Sequence, residues 1–164
     1  MLLEFTGYPW QFSAMRLSLR DNNSMPLPGA GESAGERAVL IVEDSENSAT
    51  TLEIAFLGIP HLAVVLASSA VEAVRILNRG SANVQVIVTD LNMPRMDGFE
   101  LIRRVRGDRR LSATPIIVVS ADTDPTTPGR LAELRVDAVF PKPFSPAEVR
   151  RKLEQLLNGT TTIP

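Results

Sequence analysis

The stretch "VQVIVTDLNMPRMDGFE", residues 84–100, runs β-branched apolar residues straight into an aspartate, Asp90. A Met- and Pro-containing loop then leads to a second aspartate, Asp97, at the head of "GFELIRRVR". The near-continuous apolar character of 84–88 fits a strand covered on both faces, which is the mark of a parallel sheet. Four more runs of the same kind flank it: "AVLIV" (38–42), "LAVVLA" (62–67), "PIIVV" (115–119) and the shorter "AVF" (138–140). The longer segments between them have helical periodicity. Val71, Val74 and Leu77 fall on one face, as do Phe99, Ile102 and Val105, and so do Val149, Leu153, Leu156 and Leu157. Helix starts are signalled by "SAVE" (69–72) and by "SPAE" (145–148), with Pro146 at the first helical position; Gly80 and Gly159 stand where helices end. Five strands interleaved with five helices predict an α/β fold, a doubly wound five-stranded parallel sheet. The segment that fits least well is 122–134, "DTDPTTPGRLAEL", where Pro125, Pro128 and Gly129 leave room only for a short or late helix.

Ahead of this pattern the chain changes character. Residues 24–37, "SMPLPGAGESAGER", read as a linker. "MLLEFTGYPWQFSAMRLSL" before it carries the single Trp and the single Tyr, so it has the means to pack somewhere. The plainer account is an unstructured tail or a start at the wrong methionine. The expected division is an N-terminal extension over 1–36, one folded domain over 37–158 and a short C-terminal tail over 159–164.

Composition narrows the chemistry. The 164 residues suit one ordinary domain, and a formal charge of −2 lacks the basic excess of a nucleic-acid footprint. The absence of cysteine removes disulfides, thiolate metal sites and thiol nucleophiles, and the lone His61 cannot build a histidine metal cluster. Any nucleophile is an oxygen. No segment approaches the roughly 18 apolar residues of a membrane span, and Glu4 stands where a secretory signal wants positive charge. The expectation is a cytoplasmic, soluble protein that engages neither nucleic acid nor membrane.

In an open parallel sheet, ligands bind at the carboxyl ends of the strands. There the first strand ends in Glu43 and Asp44, the third in Asp90 and the fourth in Ser120, while Lys142 follows the fifth. Three clustered carboxylates repel: a pair about 4 Å apart costs about 4 kcal/mol at an effective dielectric near 20, or roughly three pKa units. Lys142 supplies one compensating charge. A hard divalent cation supplies the rest, and Mg²⁺ suits a site of few carboxylates, a backbone carbonyl and waters, completed by a phosphoryl oxygen. Asp90 ends a buried strand at the centre of this rim, where a carboxylate can attack phosphorus and become an aspartyl phosphate. Asp97, with Glu100 three residues on, instead reads as the cap of the following helix.

On these residues the domain resembles the receiver domain of two-component response regulators. The motifs are "IVEDS" with Glu43 and Asp44, "VTDLNMPRMDG" with Asp90, "VVSA" with Ser120 and "PKPF" with Lys142. The match spans about 38–157, with 30 residues from Asp90 to Ser120 and 22 from Ser120 to Lys142. The resemblance implies a flavodoxin-like sheet of strand order 2-1-3-4-5. It implies that Asp90 accepts a phosphoryl group from a phosphohistidine on a sensor histidine kinase or phosphotransfer protein. Asp44 binds Mg²⁺ (or Mn²⁺) directly in such domains, Glu43 acts largely through water, and Asn92 offers its backbone carbonyl. Lys142 pairs with the phosphoryl oxygens, Ser120 turns its hydroxyl toward them, and the Lys142–Pro143 bond is cis. An amide at Asn92 with a carboxylate at Asp122 resembles the chemotaxis-type receivers, which implies a phosphorylated state lasting nearer minutes than hours.

One departure stands out. Three residues before the lysine the family often has an aromatic that rotates inward with the Ser/Thr; here that position is Val139, and the neighbouring Phe140 points to the opposite face. Since only "NGTTTIP" follows the last helix, the expected function is a stand-alone switch without an output domain that signals through an unknown downstream protein target. It is not an enzyme beyond its own phosphorylation and dephosphorylation. Receivers often pair through the fourth helix and fifth strand, so a homodimer stays open. The basic group Arg103, Arg104, Arg106, Arg109 and Arg110 offers charge for partner contacts, but reads rather as a solvated helix face. Two other classes remain: a phosphorylation-independent pseudo-receiver scaffold, and an aspartyl-phosphate Mg²⁺ phosphohydrolase. The latter typically needs an acid where Asn92 stands.

Overall fold

The computed structural model describes residues 36–159. The expected extension over 1–36 lies outside these residues except for Glu36, and the expected tail lies outside them except for Gly159. Five parallel strands, β1 (Arg37–Val42), β2 (Leu62–Ala67), β3 (Asn83–Thr89), β4 (Ile116–Ser120) and β5 (Ala138–Pro141), form a single sheet in the order β2-β1-β3-β4-β5. Helices α1 (Glu46–Phe56), α2 (Ala70–Arg79), α3 (Gly98–Gly107), α4 (Thr127–Glu133) and α5 (Pro146–Leu157) connect and follow them. This is the doubly wound, flavodoxin-like architecture expected from the sequence.

The pleat divides the apolar runs into two cores. Leu40, Val42, Val65, Ala67, Ile87, Ile116 and Val118 pack toward α2, α3 and α4. Val39, Ile41, Val86, Val88, Ile117 and Val119 face the other way, onto Leu52 and Phe56 of α1 and Val149 and Leu153 of α5. Since β1, β3 and β4 are covered on both sides over their buried lengths, these runs need no polar alternation, which is why they were legible as parallel strands.

The helices follow their caps. Ser69 Oγ accepts from the Glu72 amide at 3.2 Å and Asp97 Oδ1 from the Glu100 amide at 2.8 Å, and Ser145 Oγ accepts from the Glu148 amide at 3.4 Å. Gly80 ends α2 with a φ of 63°, a left-handed conformation that glycine adopts without a Cβ penalty. Two sequence expectations shift. On α2 the buried stripe is Ala70, Ala73 and Leu77, with Val71 and Val74 only partly covered. Arg106 does not belong to a solvated face. Its guanidinium donates to the carbonyls of Ser112, Thr114, Leu134 and Arg135 at 2.7–3.2 Å, tying α3 to the segments on either side of β4. Arg103, Arg104, Arg109 and Arg110 are exposed, as expected.

The Pro-interrupted segment forms a seven-residue helix, α4, which begins late. It is held to α3 by buried Leu131 and by Arg130, whose guanidinium carbon lies 3.6 Å from the Phe99 ring centroid. Val139 is 51% exposed, while Phe140 packs into the opposite core, so the alternation read from the sequence holds.

Candidate functional site

The strand order reverses at β1, which has β2 on one side and β3 on the other. The chain leaving β1 runs to α1 on one face of the sheet and the chain leaving β3 runs to α3 on the other, which opens a crevice above the strand ends. One extra rung of the parallel ladder sets the residues at its lip. The Glu43 amide donates to the Ala67 carbonyl at 3.0 Å, the Asp90 amide to Val42 at 3.1 Å and the Lys142 amide to Ser120 at 2.9 Å.

Asp90 is 6% exposed, and both its carboxylate oxygens are engaged. Oδ1 accepts from the amides of Leu91 (2.6 Å) and Asn92 (3.1 Å), and Oδ2 lies 2.7 Å from Lys142 Nζ. The same ammonium is 2.7 Å from Glu43 Oε2, and Glu43 Oε1 accepts from the Ser45 amide at 3.1 Å. Burial pushes the Glu43 carboxyl above its ordinary value, against the lowering effect of Lys142 and the Ser45 amide. For Lys142, burial works against the charge, but the hydrogen bonds to Asp90 and Glu43 outweigh it and hold the ammonium's pKa above the usual value.

Asp44 completes the acidic group as its exposed member. Glu43, Asp44 and Asp90 each offer a carboxylate oxygen, and the three lie within 4.8 Å of one another. One ammonium against three carboxylates leaves a formal excess of two negative charges at the mouth of the crevice. The donors are all hard oxygens, and the exposed carboxylate keeps one side open, which is the chemistry that fits a small divalent cation with part of its coordination left to other ligands. Asn92 is exposed and joins the site through its backbone amide. Ser120 is 5% exposed, and its hydroxyl accepts from the Asp122 amide at 3.2 Å; among the described residues it makes no hydrogen bond to Asp90 or to the Lys142 side chain. The Lys142–Pro143 peptide is cis.

Asp97 stands apart as the cap of α3, but its neighbour Gly98 is a part of the site that sequence reasoning passed over. Gly98 N donates to the Leu91 carbonyl at 2.9 Å, and a Cβ at position 98 would collide with the Asp90 carbonyl oxygen and lie 2.8 Å from Leu91 Cα. The loop therefore folds back onto Asp90 through a position only glycine can fill. The carbonyl it crowds also accepts from Thr89 Oγ1 at 2.8 Å. The signal was in "MDGFE", where a glycine occupies the first helical position without a capping reason.

The profile of the response regulator receiver domain matches residues 39–154. A chemotaxis protein CheY homolog of Campylobacter jejuni is 31% identical over 119 residues, covering 73% of this chain and 91% of its own. Chemotaxis protein CheY1 of Helicobacter pylori is 30% identical over 119 residues, with 73% and 95% covered. Among solved structures, a response regulator receiver protein from Pseudomonas putida superposes with a TM-score of 0.64 at 31% identity, covering 77% of this chain and 98% of that one. Chemotaxis response regulator CheY4 of Vibrio cholerae does so with a TM-score of 0.64 at 28% identity, covering 73% and 98%.

Proposed function

We propose the following function for this chain, which belongs to the response regulator receiver domain family: it takes a phosphoryl group from a phosphohistidine onto Asp90 and signals through protein contact. The observation that carries the reading is the setting of Asp90, a buried carboxylate clamped by two backbone amides and Lys142 beside a second buried acid and an exposed third. A structural aspartate at a strand end needs one partner for each oxygen; it does not need an uncompensated pair of neighbouring carboxylates.

In the transfer, the P–N bond of a phosphohistidine on a histidine kinase or phosphotransfer protein breaks and a P–O bond to the Asp90 carboxylate forms. The imidazole keeps the electron pair of the broken bond and takes a proton from solvent. The work of the chain is positioning and charge neutralisation. The Leu91 and Asn92 amides fix the attacking carboxylate, which removes the orientational freedom that makes such attacks slow. Lys142, already poised between Glu43 and Asp90, neutralises charge on the arriving oxygens, and Ser120 offers them its hydroxyl hydrogen. Glu43, Asp44, Asp90 and the Asn92 backbone carbonyl would hold a Mg²⁺ or Mn²⁺ ion, which when bound supplies the charge neutralisation that one lysine cannot.

The two chemotaxis relatives are covered over 91% and 95% of their own length, so a receiver with little else is a sufficient unit in that group. By analogy this receiver acts on a downstream protein directly, alone or as a homodimer, in the cytoplasm. None of the helices in the described residues is long and apolar enough to cross a membrane. The amide at Asn92 and the carboxylate at Asp122 favour a phosphorylated state lasting nearer minutes than hours. The test is intact-mass measurement after incubation with acetyl phosphate and Mg²⁺. Wild type should gain one phosphoryl group and Asp90→Asn none; no gain in wild type would favour a phosphorylation-independent scaffold.

A further inference from the structure

Ser120 is connected to the start of α4 by an unbroken set of short hydrogen bonds. Its hydroxyl accepts from Asp122 N at 3.2 Å, and Asp122 Oδ2 in turn accepts from the Thr127 hydroxyl at 3.0 Å. Asp122 Oδ1 takes the Asp124 amide at 2.8 Å, and Asp124 Oδ1 takes both the amide and the hydroxyl of Thr126 at 2.8 Å. The Thr127 amide closes the loop on the Asp124 carbonyl at 3.0 Å. Thr127 is the first residue of α4 and is 6% exposed, and its hydroxyl has spent its one hydrogen on Asp122. The loop therefore has a fixed end in the core, at Thr127, and an end on the site, at Ser120.

We propose that Thr127 is a positioning residue for the Ser120 hydroxyl, acting through Asp122, so that a latch on the first turn of α4 opposes the turn of Ser120 in the resting protein. The proposal rests on the reading of Asp90 as the phosphoacceptor. For Ser120 to turn its hydroxyl toward a phosphoryl group on Asp90, it must surrender the Asp122 amide. Asp122 cannot follow freely while Thr127 holds its carboxylate, so the turn is opposed in the resting protein.

The experiment is a double-mutant cycle between Thr127 and Ser120, read as the rate of phosphorylation by acetyl phosphate with Mg²⁺. Thr127→Val removes the hydroxyl at nearly constant shape, and the hold of one hydrogen bond corresponds to about a fivefold faster reaction. Thr127→Ser keeps the hydroxyl and should react as wild type. In a Ser120→Ala background, where the latch has no end on the site, Thr127→Val should change nothing. An unchanged rate in Thr127→Val, an equal change in the Ser120→Ala background, or a Thr127→Ser variant that behaves like the valine would each overturn the latch. A wild type that gains no phosphoryl group refutes the acceptor reading instead. The latch is then judged by amide hydrogen exchange over 122–133 in the resting protein, which must rise in Thr127→Val and not in Thr127→Ser; equal exchange in all three overturns it.

Discussion

Lys142 Nζ stands 2.7 Å from Asp90 Oδ2, across a sheet in which their strands are separated by β4. The contact spans 52 residues of sequence, and it exists because β5 lays its last rung against Ser120 while β3 ends beside Val42. Replacing Lys142 by Gln leaves the Asp90 and Glu43 carboxylates facing each other without a cation. Phosphorylation by acetyl phosphate should slow roughly a hundredfold, the usual loss for one charge-stabilising donor. An initial rate within a factor of about two of wild type would remove Lys142 from the chemistry.

Gly98 leads to a second expectation. Because an added Cβ would meet the Asp90 carbonyl and Leu91 Cα, Gly98→Ala must push the 91–97 loop off the site. We expect a loss of about 1–3 kcal/mol in denaturant unfolding, as for overpacking in a dense core, with slower phosphorylation because Asp90 shifts. Gly107→Ala, at a glycine with open space around it, serves as the control and should not destabilise.

Arg106 is a structural clamp rather than a docking charge. Its four carbonyl partners lose a charged donor in Arg106→Met, which should cost about 2 kcal/mol in unfolding free energy. Arg103→Ala and Arg109→Ala, on the exposed face, should stay within about 0.5 kcal/mol of wild type. Equal effects at all three positions would contradict the distinction.

The loop before α4 has its own pH signature. Asp124 is held below the ordinary carboxylate value of 3.8, by the Thr126 amide first and the Thr126 hydroxyl next. Its folded pKa lies below the unfolded one, so its contribution is present above about pH 3.8 and is lost as pH falls through the folded value. The Thr126 amide resonance should titrate with a midpoint below 3.8, and that step should vanish in Asp124→Asn. A midpoint at or above 3.8 would mean the side chain does not hold this turn in solution.

Much of this was legible in the sequence for a physical reason. Strands buried on both faces must be apolar throughout, and residues that follow such strands in a parallel sheet must gather at one end, so Glu43, Asp44, Asp90, Ser120 and Lys142 could be grouped without coordinates. The caps at Ser69, Asp97 and Ser145 were readable because each depends on a partner three residues away. What escaped was long-range or small. The clamp of Arg106 reaches carbonyls up to 29 residues distant, which no local pattern encodes. Gly98 matters for an atom it lacks, and Thr127 sits between prolines and glycine that mark the segment as irregular while concealing one buried hydroxyl within it.

The central claim is that Asp90, and no other carboxylate of the acidic group, carries the phosphoryl group. Reduction of the acetyl phosphate-treated protein with borohydride converts an aspartyl phosphate to homoserine, and peptide sequencing by mass spectrometry then locates it. The account predicts homoserine at position 90 alone, formed only when Mg²⁺ is present and absent in Asp90→Asn. Homoserine at position 44 or 97 in wild type, or none at position 90 in a folded and metal-supplied protein, would contradict it.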